Sequence, residues 1–176
     1  GLVQECIIGM KKIFRTTEND VLFFPSSGSG AMESVVVNMF SPGDTILVAC
    51  HGVFSERIAI IADEYNLNVI RVEKEWGKAV KVEDFKMILM EDKEYKIKGL
   101  FLPHNETTSG VKNDIESIGK MLKEIKHPTL LIVDAVSSLA CMPLEFDKWN
   151  IDIVITGSQK GLMLPPGLSM VCLNQN

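Results

Sequence analysis

Seven short apolar runs, most of them separated by stretches of helical periodicity, restrict this 176-residue chain to an α/β architecture. The runs are Val21–Phe24, Thr45–Cys50, Asn68–Val72, Gly99–Leu102, Leu130–Asp134, Asp152–Thr156 and Leu168–Leu173. Between them, apolar side chains recur once per helical turn, as at Val82, Phe85, Ile88 and Leu89, and again at Ile115, Ile118, Met121, Leu122 and Ile125. A further stripe, Val3, Ile7, Met10 and Phe14, precedes the first run. This alternation predicts a three-layer sandwich in which helices cover both faces of a seven-stranded, mainly parallel sheet. The segment from Lys160 to Leu168 is too short for a parallel crossover, so the last strand is expected to be antiparallel.

Composition narrows the function classes. At 46% hydrophobic content the chain can bury one good core, and residues 1–176 read as one domain. A net charge of −5 without a basic stripe argues against a nucleic-acid partner. No apolar run reaches the length of a membrane span, and no signal-peptide pattern opens the chain. Cys6, Cys50, Cys141 and Cys172 have no metal-type spacing, and no metal is expected. Three of the four lie in or beside apolar strands, which predicts buried free thiols in a reducing, cytoplasmic setting.

The chemistry is concentrated where apolar runs stop. The run ending at Thr156 passes into Gly157-Ser158-Gln159-Lys160, and Pro165, Pro166 and Gly167 then forbid a helix. Alone, Lys160 reads either as a surface loop lysine or as a Schiff-base lysine made nucleophilic by desolvation or a neighbouring cation. A second run ends on a carboxylate, Asp134. A strand-end lysine and a strand-end aspartate are the pair that pyridoxal phosphate requires, the aspartate keeping the pyridine nitrogen protonated. Small residues, Ser26-Ser27-Gly28-Ser29-Gly30, stand between the first run and the next helix, where free backbone N–H groups can hold an anion. A plain turn with a serine cap is the alternative there.

Four segments, Ser26–Glu33, His104–Val111, Val133–Ser138 and Gly157–Lys160, occur in one order along most of the chain. In them the sequence resembles the large domain of fold-type-I, class V aminotransferases that depend on pyridoxal 5'-phosphate. The serine–pyruvate, alanine–glyoxylate and serine–glyoxylate enzymes are the most similar subgroup. The resemblance implies a sheet order of 3-2-4-5-6-7-1 and a cofactor bound at the strands' carboxyl ends. It implies Lys160 as the catalytic lysine and Ser27, Gly28 and Ser29 around the phosphate. Phe54 would stack on the ring, Thr107 would donate to the 3'-oxygen, and Asp134 would hold the ring nitrogen. Val136 would pack beneath the ring, and Gln159 would complete the cofactor contacts. Glu106 and Thr108 can instead be loop-stabilising groups, and His51 is expected to be structural.

It further implies a homodimer that transfers an amino group between a small amino acid and a 2-oxo acid. The chain opens without an initiator methionine and stops just after a strand. It is therefore expected to be an excised large domain, inactive alone, without a C-terminal small domain. The alternatives are a non-catalytic domain of the same fold and a class V lyase or desulfurase; no cysteine-bearing loop of the desulfurase type is visible.

Overall fold

The computed structural model describes residues 1–175. The chain runs α1 (Leu2–Phe14), β1 (Asp20–Phe24), α2 (Gly28–Met39), β2 (Thr45–Cys50), α3 (Val53–Glu64), β3 (Asn68–Glu73) and α4 (Val82–Glu91). It continues with β4 (Ile97–Pro103), β5 (Asn105–Glu106), β6 (Val111–Lys112), α5 (Ile115–Ile125), β7 (Leu130–Asp134), β8 (Ile153–Gly157) and β9 (Ser169–Leu173). Seven strands form one sheet in the order β1-β9-β8-β7-β4-β2-β3. Numbered among the seven alone, this is the expected 3-2-4-5-6-7-1 read from the other edge. β3, β2, β4, β7 and β8 pair in parallel, whereas β9 runs antiparallel to both β8 and β1. The antiparallel strand thus lies inside the sheet, second from its edge.

Alternate residues of each strand feed two separate cores, which is why these runs are apolar throughout rather than alternating. Leu47 and Ala49 of β2 and Leu131 and Val133 of β7 pack with Met10, Phe14, Phe85, Leu89, Ile118 and Met121, the inner faces of α1, α4 and α5. Ile46, Val48, Phe101, Ile132 and Ile155 face the other way, onto Met32, Val35, Val36, Ile58 and Ala62 of α2 and α3. The three layers follow from that division. No helix among the described residues is long and apolar enough to cross a membrane.

The structure adds one element and changes one expectation. The segment after β4 forms a small antiparallel hairpin, β5–β6, with Asn105 opposite Lys112. Cys50 and Cys172 are buried free thiols as expected, but Cys6 and Cys141 are exposed. Cys141 falls in the turns beyond β7, with its N–H bonded to Ser138 O at 3.0 Å, outside the layers that would have covered it.

Candidate functional site

Parallel strands deliver their carboxyl ends to one edge of a sheet, and loops there meet the amino ends of the helices that follow. At that edge a cavity of about 190 Å³ is lined by Ser27, Gly28, Ser29, Met32, Phe54, Arg57, Thr107, Asp134, Val136, Ser137, Gln159 and Lys160. All nine residues singled out in the sequence border it. Larger grooves exist beside α1 and between α4 and α5, about 730 and 420 Å³, but neither lies among the strand ends.

One wall is the start of α2. Ser27 is its N-cap, and its Oγ accepts the Gly30 N–H at 3.2 Å. The Gly28 and Ser29 N–H groups have no intrahelical acceptor, so the helix presents donors and the positive end of its dipole. Gly28 is required by the opposite wall, because a Cβ there would come within 2.5 Å of Val136 Cγ2. That contact sets the gap between the α2 start and the turn after β7.

Asp134 ends β7, between Pro103 of β4 and Ile155 of β8 in the register. The residue is only 7% exposed, and Oδ1 accepts the Val136 N–H at 2.9 Å. Burial pushes this carboxyl up to about 6, the Val136 hydrogen bond opposing and the Glu106 charge reinforcing the effect, with Arg57 pulling weakly downward. A carboxylate so held gains most from a cation placed in the cavity.

Gln159 and Lys160 are exposed at the rim; of the two settings the sequence left open for Lys160, the exposed loop is the one found. Their turn is organised by the buried Ser158. Its Oγ donates to Pro165 O at 2.6 Å, and its N–H donates to Leu168 O at 3.0 Å. Lys160 is therefore carried on a loop pinned at both ends.

The remaining walls are tied together by a group that the sequence left ambiguous. Glu106 is fully buried. Its Oε2 accepts the Ser55 N–H at 2.9 Å and its Oε1 the Thr108 N–H at 3.0 Å. Thr108 Oγ1 in turn accepts the Val53 N–H at 3.1 Å. α3 has no side-chain cap of its own at Gly52, so the hairpin caps it from outside. A Cβ on Gly52 would collide with the Glu106 side chain. The clamp fixes Phe54, on the first turn of α3, relative to Thr107. His51, behind it, is buried, and Asn113 Nδ2 lies 3.0 Å from its Nε2; this is a structural contact, as expected.

These N–H bonds hold the Glu106 carboxyl below its ordinary value despite the opposing effect of burial. A lowered folded value means that its stabilisation is present above the unfolded carboxyl range and is lost as pH falls through the folded value. Glu106→Ala is expected to cost about 3 kcal/mol, from two charge-assisted hydrogen bonds and two stranded donors. Urea denaturation at neutral pH checks this; a midpoint indistinguishable from the parent would disprove the clamp.

Three lining residues were given no role from the sequence: Met32, Arg57 and Ser137. Ser137 Oγ accepts from Asn105 Nδ2 at 2.9 Å and lies 3.2 Å from Asn105 O, joining the β7 turn to the hairpin. Arg57 donates to Ser29 Oγ at 3.0 Å, and its guanidinium lies 5.0 Å from the Phe54 ring centre. The only signal for Arg57 was its spacing, three residues after Phe54 on one helical face.

Comparison with known proteins places this geometry in context. The family model described as aminotransferase class-V matches residues 3–176. The L-aspartate–glyoxylate aminotransferase of Paracoccus denitrificans is 44% identical over 170 residues, 97% of this chain and 43% of that protein. A serine–glyoxylate aminotransferase of Methylorubrum extorquens is 42% identical, covering 94% of this chain and 41% of its own length. The crystal structure of an alanine–glyoxylate aminotransferase from Nostoc superposes with a TM-score of 0.91 at 31% identity, over 99% of this chain and 45% of that one. The chain spans less than half the length of the relatives it matches.

Proposed function

The chain belongs to the class V aminotransferase family, and from that premise we propose that residues 1–176 are the pyridoxal-phosphate-binding large domain of an amino acid–2-oxo acid aminotransferase. The observation that carries this reading is the convergence of Asp134, Lys160 and the start of α2 on one cavity.

The residues present fit the cofactor. Asp134 is a buried carboxylate whose side chain accepts one hydrogen bond among the described residues, at Oδ1, and a protonated pyridine nitrogen would supply a cation to it. The Gly28 and Ser29 N–H groups suit a phosphate dianion. Phe54 and Val136 are apolar walls for a flat ring, and Thr107 and Gln159 bring hydrogen-bonding side chains to it.

When bound, pyridoxal phosphate supplies an aldehyde carbon and a protonated ring that accepts the electron pair released at the substrate α-carbon. Asp134 holds the proton on the ring nitrogen. Lys160 Nζ would be the covalent attachment point and, when free, the base that takes the proton from the substrate α-carbon and delivers it to the cofactor's former aldehyde carbon. The lysine's exposure at the rim lets Nζ change partner without crossing a packed core.

The names of the relatives support glyoxylate as acceptor and give L-aspartate, serine and alanine as donors; our reading takes a small amino acid of the serine or alanine type as donor, with pyruvate as the other acceptor. A homodimer in the cytoplasm belongs to the same reading. Against a desulfurase, none of the four cysteines lines the cavity. The test is to supply the full-length protein with pyridoxal phosphate, L-serine or L-alanine, and glyoxylate, and to follow glycine formation and the visible absorption band. A band without glycine would favour a non-catalytic domain of this fold; neither band nor glycine would overturn the assignment.

A further inference from the structure

We infer that Arg57 is the side-chain cation of the phosphate end of this site, acting with the α2 N-terminus to hold the phosphate of the cofactor. The inference rests on the reading of the cavity as a pyridoxal phosphate site.

Arg57 makes no salt bridge among the described residues, although Glu56 and Glu64 share its helix. Its one hydrogen bond goes to a neutral hydroxyl, Ser29 Oγ at 3.0 Å, on the first turn of α2. A guanidinium has five donors, so most of its hydrogen-bonding capacity is unspent inside the protein. The guanidinium carbon lies over the Phe54 ring, 5.0 Å from its centre, a cation–π contact that holds the group at this wall. The group borders the cavity at the helix end where Gly28 and Ser29 offer backbone donors. An unpaired planar cation beside uncapped N–H groups is built for a tetrahedral oxyanion, which accepts from the fork and the backbone together. Asp134, the buried carboxylate on the same cavity, marks the site as one that takes a ligand with a cationic end as well as an anionic one.

The test compares two probes that differ only in the phosphate, pyridoxal phosphate and pyridoxal, each titrated into full-length wild type and Arg57→Gln by absorbance and fluorescence quenching. Loss of a charge-assisted contact raises the Kd for pyridoxal phosphate roughly 10- to 100-fold, with a change of about twofold or less for pyridoxal. Arg57→Lys is expected to recover part of the loss, since the charge returns without the fork. Equal weakening of both probes would mean that Arg57 acts through the fold or through Phe54, and would overturn the assignment. Equal, tight binding of pyridoxal phosphate by both proteins would overturn it while leaving the cofactor reading intact. Failure of wild type to bind either probe would overturn both.

Discussion

Replacing Lys160 with alanine in the full-length protein is expected to abolish borohydride-fixable attachment of pyridoxal phosphate and to slow amino transfer by at least about 10²–10⁴-fold, the range carried by proton transfer alone. The reason is local. Lys160 is the amine among the residues lining the cavity, and its loop is held by Ser158 independently of the lysine side chain. The variant should therefore fold and still accept the cofactor reversibly, through the α2 start and Asp134. Peptide mapping after reduction reads the attachment and a coupled glycine assay reads the rate. A label that persists on the Lys160→Ala protein would move the reactive amine elsewhere.

Asp134→Asn should act in opposite directions on stability and on turnover. A carboxyl raised in the folded state binds its proton more tightly there than in the unfolded chain. The cofactor-free protein therefore loses stability as pH rises from the ordinary carboxyl value of 3.8 to about 6, and the penalty is complete above that. That displacement corresponds to about 3 kcal/mol. Asparagine keeps the acceptor for Val136 N–H but carries no charge, so the cofactor-free variant should be the more stable protein at pH 8 by a value of that order. Near pH 4 the two should converge. Turnover should fall far more than cofactor affinity, because the amide cannot hold the ring nitrogen protonated. Thermal melts of the cofactor-free proteins across pH 4–8 check the first half. Equal melts at pH 8 would show that burial does not raise the Asp134 carboxyl, and near-normal turnover would remove Asp134 from its assigned role.

The strands and their end residues were legible because a run buried on both faces must be apolar, and any polar group closing it stands out. Asp134 after Leu131-Ile132-Val133 is such a case. Arg57 was not, since a charge on an amphipathic helix is ordinary and nothing local tells an unpaired arginine from a solvated one. Glu106 stayed ambiguous for another reason. Its partners are the N–H of Ser55, 51 residues earlier, and that of Thr108 in its own hairpin, and strands of two residues fall below any periodicity. The exposure of Lys160 was left open because strand periodicity says nothing about where the next turn faces.

The antiparallel strand inside the sheet has a consequence for synthesis. Among the described residues β1 pairs only with β9, Val21 opposite Cys172. Within this stretch of chain β1 is therefore made well before β9, the strand that gives it its main-chain neighbour. At roughly 5–20 residues per second, the intervening stretch of about 150 residues takes on the order of ten to thirty seconds to make. Once β8 is made, the five parallel strands leave its outer edge bare until β9 follows. The turn bearing Lys160 joins β8 to β9, so the arrival of β9 caps that edge, recruits the amino-terminal strand and sets the reactive amine in its loop in one event.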